Sequence, residues 1–173
     1  MIYSKRNLRH NRSVEKDLPC GELLNGQGMG RLSQMRCGVS FVRRCGCECI
    51  AVYNALAFMK KKVPLSEVIF RMERYGIIFG LLGSSPFCFR KVMKHFDAEY
   101  TTEDFSGEAY IISFWTKKPF LSAIHTVFCV ENNGAVTVYN RYNNLADKKI
   151  YSSLGELTHG RKPVSVYRLK KSV

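Results

Sequence analysis

The sequence lacks long apolar runs. None approaches the ~18–20 residues needed to span a bilayer, and the longest, Ile77–Leu82, is broken by Gly80. The N-terminus, Met1-Ile2-Tyr3-Ser4-Lys5-Arg6, has no apolar stretch of the kind that forms a secretory signal. These absences make a cytoplasmic protein without a membrane span the expectation, with export by an unrecognised signal as the alternative. Acidic residues are also scarce, at 14 against 27 Lys and Arg, for a net charge of +13. The excess is dispersed, and its longest run is Lys60-Lys61-Lys62, so there is no polybasic tail. A charge of this size can attract nucleic acid, anionic lipid or an acidic partner. No nucleic-acid-binding motif accompanies it, so charge alone supports that partner class. The oligomeric state is not legible.

What remains is an ordinary globular composition. The 173 residues suit one domain, and 46% hydrophobic with 24% charged residues excludes disorder, collagen and coiled coil for the bulk of the chain. Seven cysteines are present. An odd count without a secretory signal argues against a disulfide framework. Cys88 and Cys129 lie in apolar contexts and read as small core residues. Cys37, Cys45, Cys47 and Cys49 have the wrong spacing for a zinc knuckle and no histidine to complete it, so neither metal nor cofactor is expected.

Residues 1–30 are polar and read as a loosely ordered arm ahead of a single domain over 31–173. Gly26-Gln27-Gly28-Met29-Gly30 has the look of a phosphate loop, but no strand precedes it and no Gly-Lys-Ser/Thr ends it. Ile50, Ala51, Asn54, Ala55 and Phe58 recur at helical spacing, which predicts a helix from Cys47 to about Lys61. Pro64 opens a second helix that Gly76 ends, and Ser84-Ser85-Pro86 starts a third over 86–96. β-rich runs follow at Tyr110–Trp115, Ala123–Glu131 and Ala135–Asn140, the last two joined at Asn132-Asn133-Gly134. Shorter strands are expected at Ile150–Ser152 and Pro163–Leu169. Helices followed by an antiparallel sheet make an α+β domain.

Three features of this layout suggest chemistry. A cysteine stands at the start of a helix, where unpaired N–H groups lower a thiol pKa. His125 lies in a strand, and Asn140 ends the strand that returns from it. A hairpin of that length can set the two side chains side by side. Cys, His and Asn in this order suit a nucleophile, its base, and an amide that fixes the base's tautomer.

Cys45-Gly46-Cys47-Glu48-Cys49-Ile50-Ala51-Val52-Tyr53-Asn54-Ala55-Leu56 resembles the nucleophile helix of papain-like cysteine peptidases. It is nearest to the double-glycine leader peptidases and their small stand-alone bacterial relatives. His125-Thr126-Val127-Phe128-Cys129-Val130 and Val136-Thr137-Val138-Tyr139-Asn140 resemble those proteins' paired strands. The resemblance covers roughly residues 34–142. It implies a papain-like α+β fold, with the nucleophile helix and further helices packed on an antiparallel sheet, and hydrolysis of a peptide or amide bond through an acyl-enzyme.

Cys45-Gly46 matches the leader peptidases, while Cys47-Glu48 followed by Ile50-Ala51 matches the stand-alone relatives. Helix phase favours Cys47, whose i+3 and i+4 neighbours are Ile50 and Ala51. Cys45 is the alternative nucleophile. The family's usual oxyanion glutamine, six residues before the nucleophile, is replaced by Phe41 for Cys47 and by Val39 for Cys45. Gln34 or Ser40 could supply that donor together with the Cys47 backbone N–H. Two other readings stand beside the peptidase: an inactive papain-like module that binds a peptide or protein, and a basic nucleic-acid binder.

Overall fold

The computed structural model describes residues 2–16, 18, 20–98, 100–101, 109–116 and 123–169. Helices dominate the first half: α1 (Ile2–Glu15), α2 (Val42–Cys45), α3 (Cys47–Phe58), α4 (Leu65–Met72) and α5 (Phe89–His95). A small ribbon of β1 (Arg36–Cys37) and β2 (Ser40–Phe41) lies between α1 and α2. The second half holds β3 (Tyr100–Thr101), β4 (Ala109–Trp115), β5 (Ile124–Asn132), β6 (Ala135–Tyr139) and β7 (Lys149–Tyr151), then α6 (Leu154–Leu157) and β8 (Ser165–Leu169). The main sheet is antiparallel with strand order β3-β8-β4-β5-β6-β7. The protein is therefore α+β. Among the described residues no helix is long and apolar enough to cross a membrane.

Strand alternation divides the core in two. Ala109 and Ile111 of β4 and Phe128 of β5 face the helices, where Phe128 meets Phe58 of α3 with ring centroids 5.6 Å apart. Tyr110, Ile112 and Phe114, with Val127 and Cys129, form a second cluster on the opposite face, closed by Leu157 of α6. Helix α3 is buried from Cys47 to Leu56. It is apolar nearly all round, as a helix packed on several sides must be. The β5–β6 turn is the one the sequence indicates: Asn133 and Gly134 have φ of 50° and 80°, the left-handed pair a two-residue hairpin requires.

Of residues 1–30, the described segments 2–16 and 20–30 are packed on the rest of the chain, in place of the loose arm expected. Helix α1 packs on α4, and Ser4, Asn7, Asn11 and Val14 bury one stripe of it. The stripe has helical spacing but is mostly polar, so apolar periodicity does not reveal it. Its two asparagines are satisfied by groups far along the chain. Asn7 Nδ2 donates to Gly38 O (2.7 Å) and Glu73 Oε1 (2.6 Å). Asn11 donates to Arg36 O (2.8 Å) and accepts from Arg36 N (2.7 Å).

Candidate functional site

Gly46 separates α2 from α3, and Cys47 is the first residue of α3. Its thiol is buried. Sγ donates to Glu48 Oε2 at 3.2 Å and accepts from the backbone N–H of Thr126 in β5. β6 begins to pair with β5 only at Tyr139↔Phe128, so Thr126 lies beyond the end of that ladder. The thiol occupies the edge that β6 leaves. Burial, then the adjacent Glu48 carboxyl, push the Cys47 thiol well above its ordinary value. The resting sulfur is a protonated thiol, not the activated thiolate expected of a helix start.

Glu48 is buried as well. Its carboxyl accepts from its own N–H and from that of Ser84, yet burial prevails and raises its pKa to about 7. Cys47 and Glu48 thus form a buried pair in which the thiol keeps its proton while the carboxyl titrates near neutrality.

His125 opens β5. Its Nε2 lies 2.8 Å from the main-chain oxygen of Asn140. A carbonyl only accepts, so Nε2 carries the proton and Nδ1 keeps its lone pair. Burial lowers the His125 pKa, and the charge of nearby Arg141 adds to this; the ring is neutral at pH 7. His125 is in phase with Val127 and Cys129, and its ring stands edge-on to Phe114, 6.2 Å between centroids. The imidazole therefore lies on the face of the sheet opposite α3. The structure brings His125 and Asn140 together but gives Cys47 the main chain of Thr126 as its neighbour on β5, not the imidazole.

The role expected for the Asn140 side chain is taken by its carbonyl. The carboxamide turns instead to Gln27: Nδ2 donates to Gln27 Oε1 (2.7 Å), and Oδ1 accepts from Gln27 N (3.0 Å). Asn140 N donates to Asn25 Oδ1 at 2.9 Å. Asn140 has φ of 59°, a left-handed conformation that asparagine tolerates better than most residues. That backbone turn redirects the side chain and aims the carbonyl at the imidazole.

Gln27 is the residue sequence reasoning missed. It is buried, and its Nε2 also donates to Val42 O (3.1 Å). The segment around it straps the site together. Leu24 exchanges two hydrogen bonds with the Asn54 side chain of α3, and Gly28 N donates to Asn143 O (2.8 Å). A Cβ on Gly28 would fall 2.9 Å from Asn143 O, so the glycine permits a close backbone crossing.

The other candidates lie elsewhere. Gln34 is exposed on a short 3-10 turn, with its main-chain oxygen 3.1 Å from His10 Nε2. Ser40 hydrogen-bonds Cys45, not Cys47. Neither is at Cys47 to serve an oxyanion. Cys45 Sγ donates to Phe41 O (3.3 Å) and Cys37 O (3.6 Å), and Cys37 Sγ is 3.9 Å from Cys49 Sγ. None of the Cys45 partners is on β5 or β6, which removes it from His125. The Cys37 hydrogen bond first, then burial, raise the Cys45 thiol. Among the described residues no three His, Cys, Asp or Glu side chains are grouped to hold a metal ion. No protein-family model, curated protein or solved structure matches the chain.

Proposed function

We propose that the protein is a papain-like cysteine hydrolase of peptide or amide bonds, with Cys47 as nucleophile and His125 as base. The observation that carries this reading is the meeting of the α3 start with β5 beyond the end of the β6 ladder. There the Cys47 thiol touches the main chain of Thr126, next in sequence to a neutral His125 whose Nε2–H is fixed by Asn140 O. On this reading, substrate binding turns the thiol away from Glu48 and brings it, past the free edge of β5, to Nδ1 of His125, whose ring in the resting structure lies on the other face of the sheet. As sulfur attacks the carbonyl carbon, its proton passes to Nδ1. The imidazolium then protonates the leaving amine as the C–N bond breaks, and a water deprotonated by the same ring hydrolyses the thioester. The Cys47 N–H, at the first turn of α3, has no partner within the helix and serves as an oxyanion donor on this reading.

One observation favours the second reading, a peptide-binding module without turnover. The thiol is protonated and held by Glu48, while the imidazole faces Phe114. The two readings separate on treatment with a panel of peptidyl acyloxymethyl ketones, with labelling sites found by mass spectrometry. The hydrolase reading expects a thioether on Cys47 that is lost in His125→Ala. If Cys47 stays unlabelled, or labelling is indifferent to His125, the hydrolase is refuted and the binding module stands.

A further inference from the structure

The segment between α4 and α5 exposes an apolar tip. Ile77, Ile78, Phe79, Leu81 and Leu82 are all exposed, Phe79 by 65% and Leu82 by 63%. The tip is a built turn. Ile77 N donates to Gly83 O (2.9 Å), Gly80 N to Ile77 O (3.1 Å), and Gly76 and Ser84 bridge at its base. Ile78 and Phe79 sit at φ of 48° and 55°, a region costly for bulky and β-branched residues. A backbone strained to hold apolar side chains in water needs something to receive them.

The base of the tip adjoins a basic cleft. Val39 N donates to Phe79 O at 3.1 Å, and Gly38 packs on Phe79 O and Gly80 so closely that a side chain there would collide. Gly38 and Val39 form one wall of a cleft of about 340 Å³, also lined by Tyr3, Arg6, Arg36 and Phe41. Arg36 Nε is buried without a hydrogen-bond partner. Arg36 and Arg43 both lie over the Phe41 ring, at 5.9 and 4.9 Å. Behind the cleft, Glu73 Oε1 accepts from Asn7 Nδ2 and Gly38 N, and its Oε2 is buried without a hydrogen-bond partner. From Arg74 to Phe96 the chain carries Arg74, Arg90, Lys91 and Lys94 and neither Asp nor Glu.

We propose that this face docks on an anionic phospholipid bilayer, with the 77–82 tip entering the acyl boundary and the Arg6–Arg36 cleft taking a lipid phosphate. An apolar insertion beside a positive surface is the combination that holds a peripheral protein to anionic lipid. A protein partner could cover the apolar tip. The arginines of the adjoining cleft, Arg6 and Arg36, and the unpartnered Arg36 Nε favour the lipid surface. The proposal is independent of the chemistry at Cys47.

The test is co-sedimentation of the full chain with phosphatidylcholine vesicles and with phosphatidylcholine–phosphatidylglycerol vesicles. Binding is expected only to the second and should weaken with salt. Phe79→Asn keeps a residue that tolerates positive φ, so it folds, and it should lower partitioning about tenfold or more. Arg6→Gln, at an exposed helix position, should lower it about fivefold. Equal binding to both vesicle types, binding to neither, or indifference to Phe79→Asn overturns the proposal. So does a concentration-dependent dimer lost in Phe79→Asn without vesicle binding, which would assign the face to a second copy.

Discussion

Replacing Glu48 by Gln tests the buried pair at the start of α3. The Glu48 carboxyl has an ordinary value of 4.5, and burial raises it to about 7 in the folded protein. Between these values the folded chain keeps a proton that the unfolded chain has released. Stability therefore falls as pH rises through that window, and the loss is complete above about pH 7. The shift corresponds to about 3 kcal/mol, of which some 2–3 lie between about pH 5 and about pH 8. Gln has the same shape, can still accept from Ser84 N–H, and does not titrate. Urea unfolding of both proteins at the two pH values isolates this contribution, because every other titrating group is common to both. The variant should gain about 2–3 kcal/mol on the native protein between the lower and the higher pH, or roughly 5–10 °C in Tm. If the stability difference stays constant to within ~0.5 kcal/mol, Glu48 is not a buried titrating carboxyl, and the account of the Cys47–Glu48 pair falls with it.

Gln27→Ala removes the acceptor of Asn140 Nδ2 and the donor to Val42 O, and leaving such buried groups unsatisfied should cost about 1–3 kcal/mol in thermal unfolding. The same variant should disturb the His125 ring in NMR spectra, since Gln27 holds the residue whose carbonyl fixes that ring; an unchanged His125 signal would show that the strap is structural only. Iodoacetamide under mildly acidic conditions should modify exposed Cys20 before buried Cys47, as read by mass spectrometry, and the opposite order would mean the thiol is more open than its surroundings imply.

Helices with an apolar stripe were legible in the sequence, as were strands with β-rich runs. α3, α4 and α5 fall where Ile50–Phe58, Val68–Met72 and the proline-led third segment place them. β4, β5, β6, β7 and β8 match their predicted runs to within two residues at each end. α1 was hidden because its buried stripe is Ser4, Asn7, Asn11 and Val14, whose stabilising contacts are hydrogen bonds to loops far along the chain. The strap from Leu24 to Gly28 was hidden for the same reason. Its glycines serve a backbone crossing with residues 143–145, and Gln27 meets Asn140 across more than a hundred residues of sequence. A signal was present in the two glycines flanking a lone glutamine, but composition could not say which chain would cross there. The pairing of His125 with Asn140 was anticipated, although the contact runs through the carbonyl because φ at Asn140 is positive.

The thiol pKa shows why a helix start is a weak sequence sign of a reactive cysteine. The helix dipole and free N–H groups contribute about 0.3–1 kcal/mol at an exposed terminus, less than one pKa unit. Full burial can shift a thiol by roughly 3–5 units in the other direction. Which effect prevails depends on how deeply the first turn is packed, and here β5 and Ser84 enclose it. The sequence placed Glu48 beside Cys47, where an acidic residue in the first turn ordinarily stabilises a helix. Burying both side chains turns that stabilising neighbour into a second force holding the proton on sulfur. On the proposed hydrolase reading, activation of Cys47 therefore depends on what a substrate does to Glu48. A ligand that neutralises or displaces this carboxyl removes the electrostatic part of the obstacle, and exposure of the sulfur removes the rest.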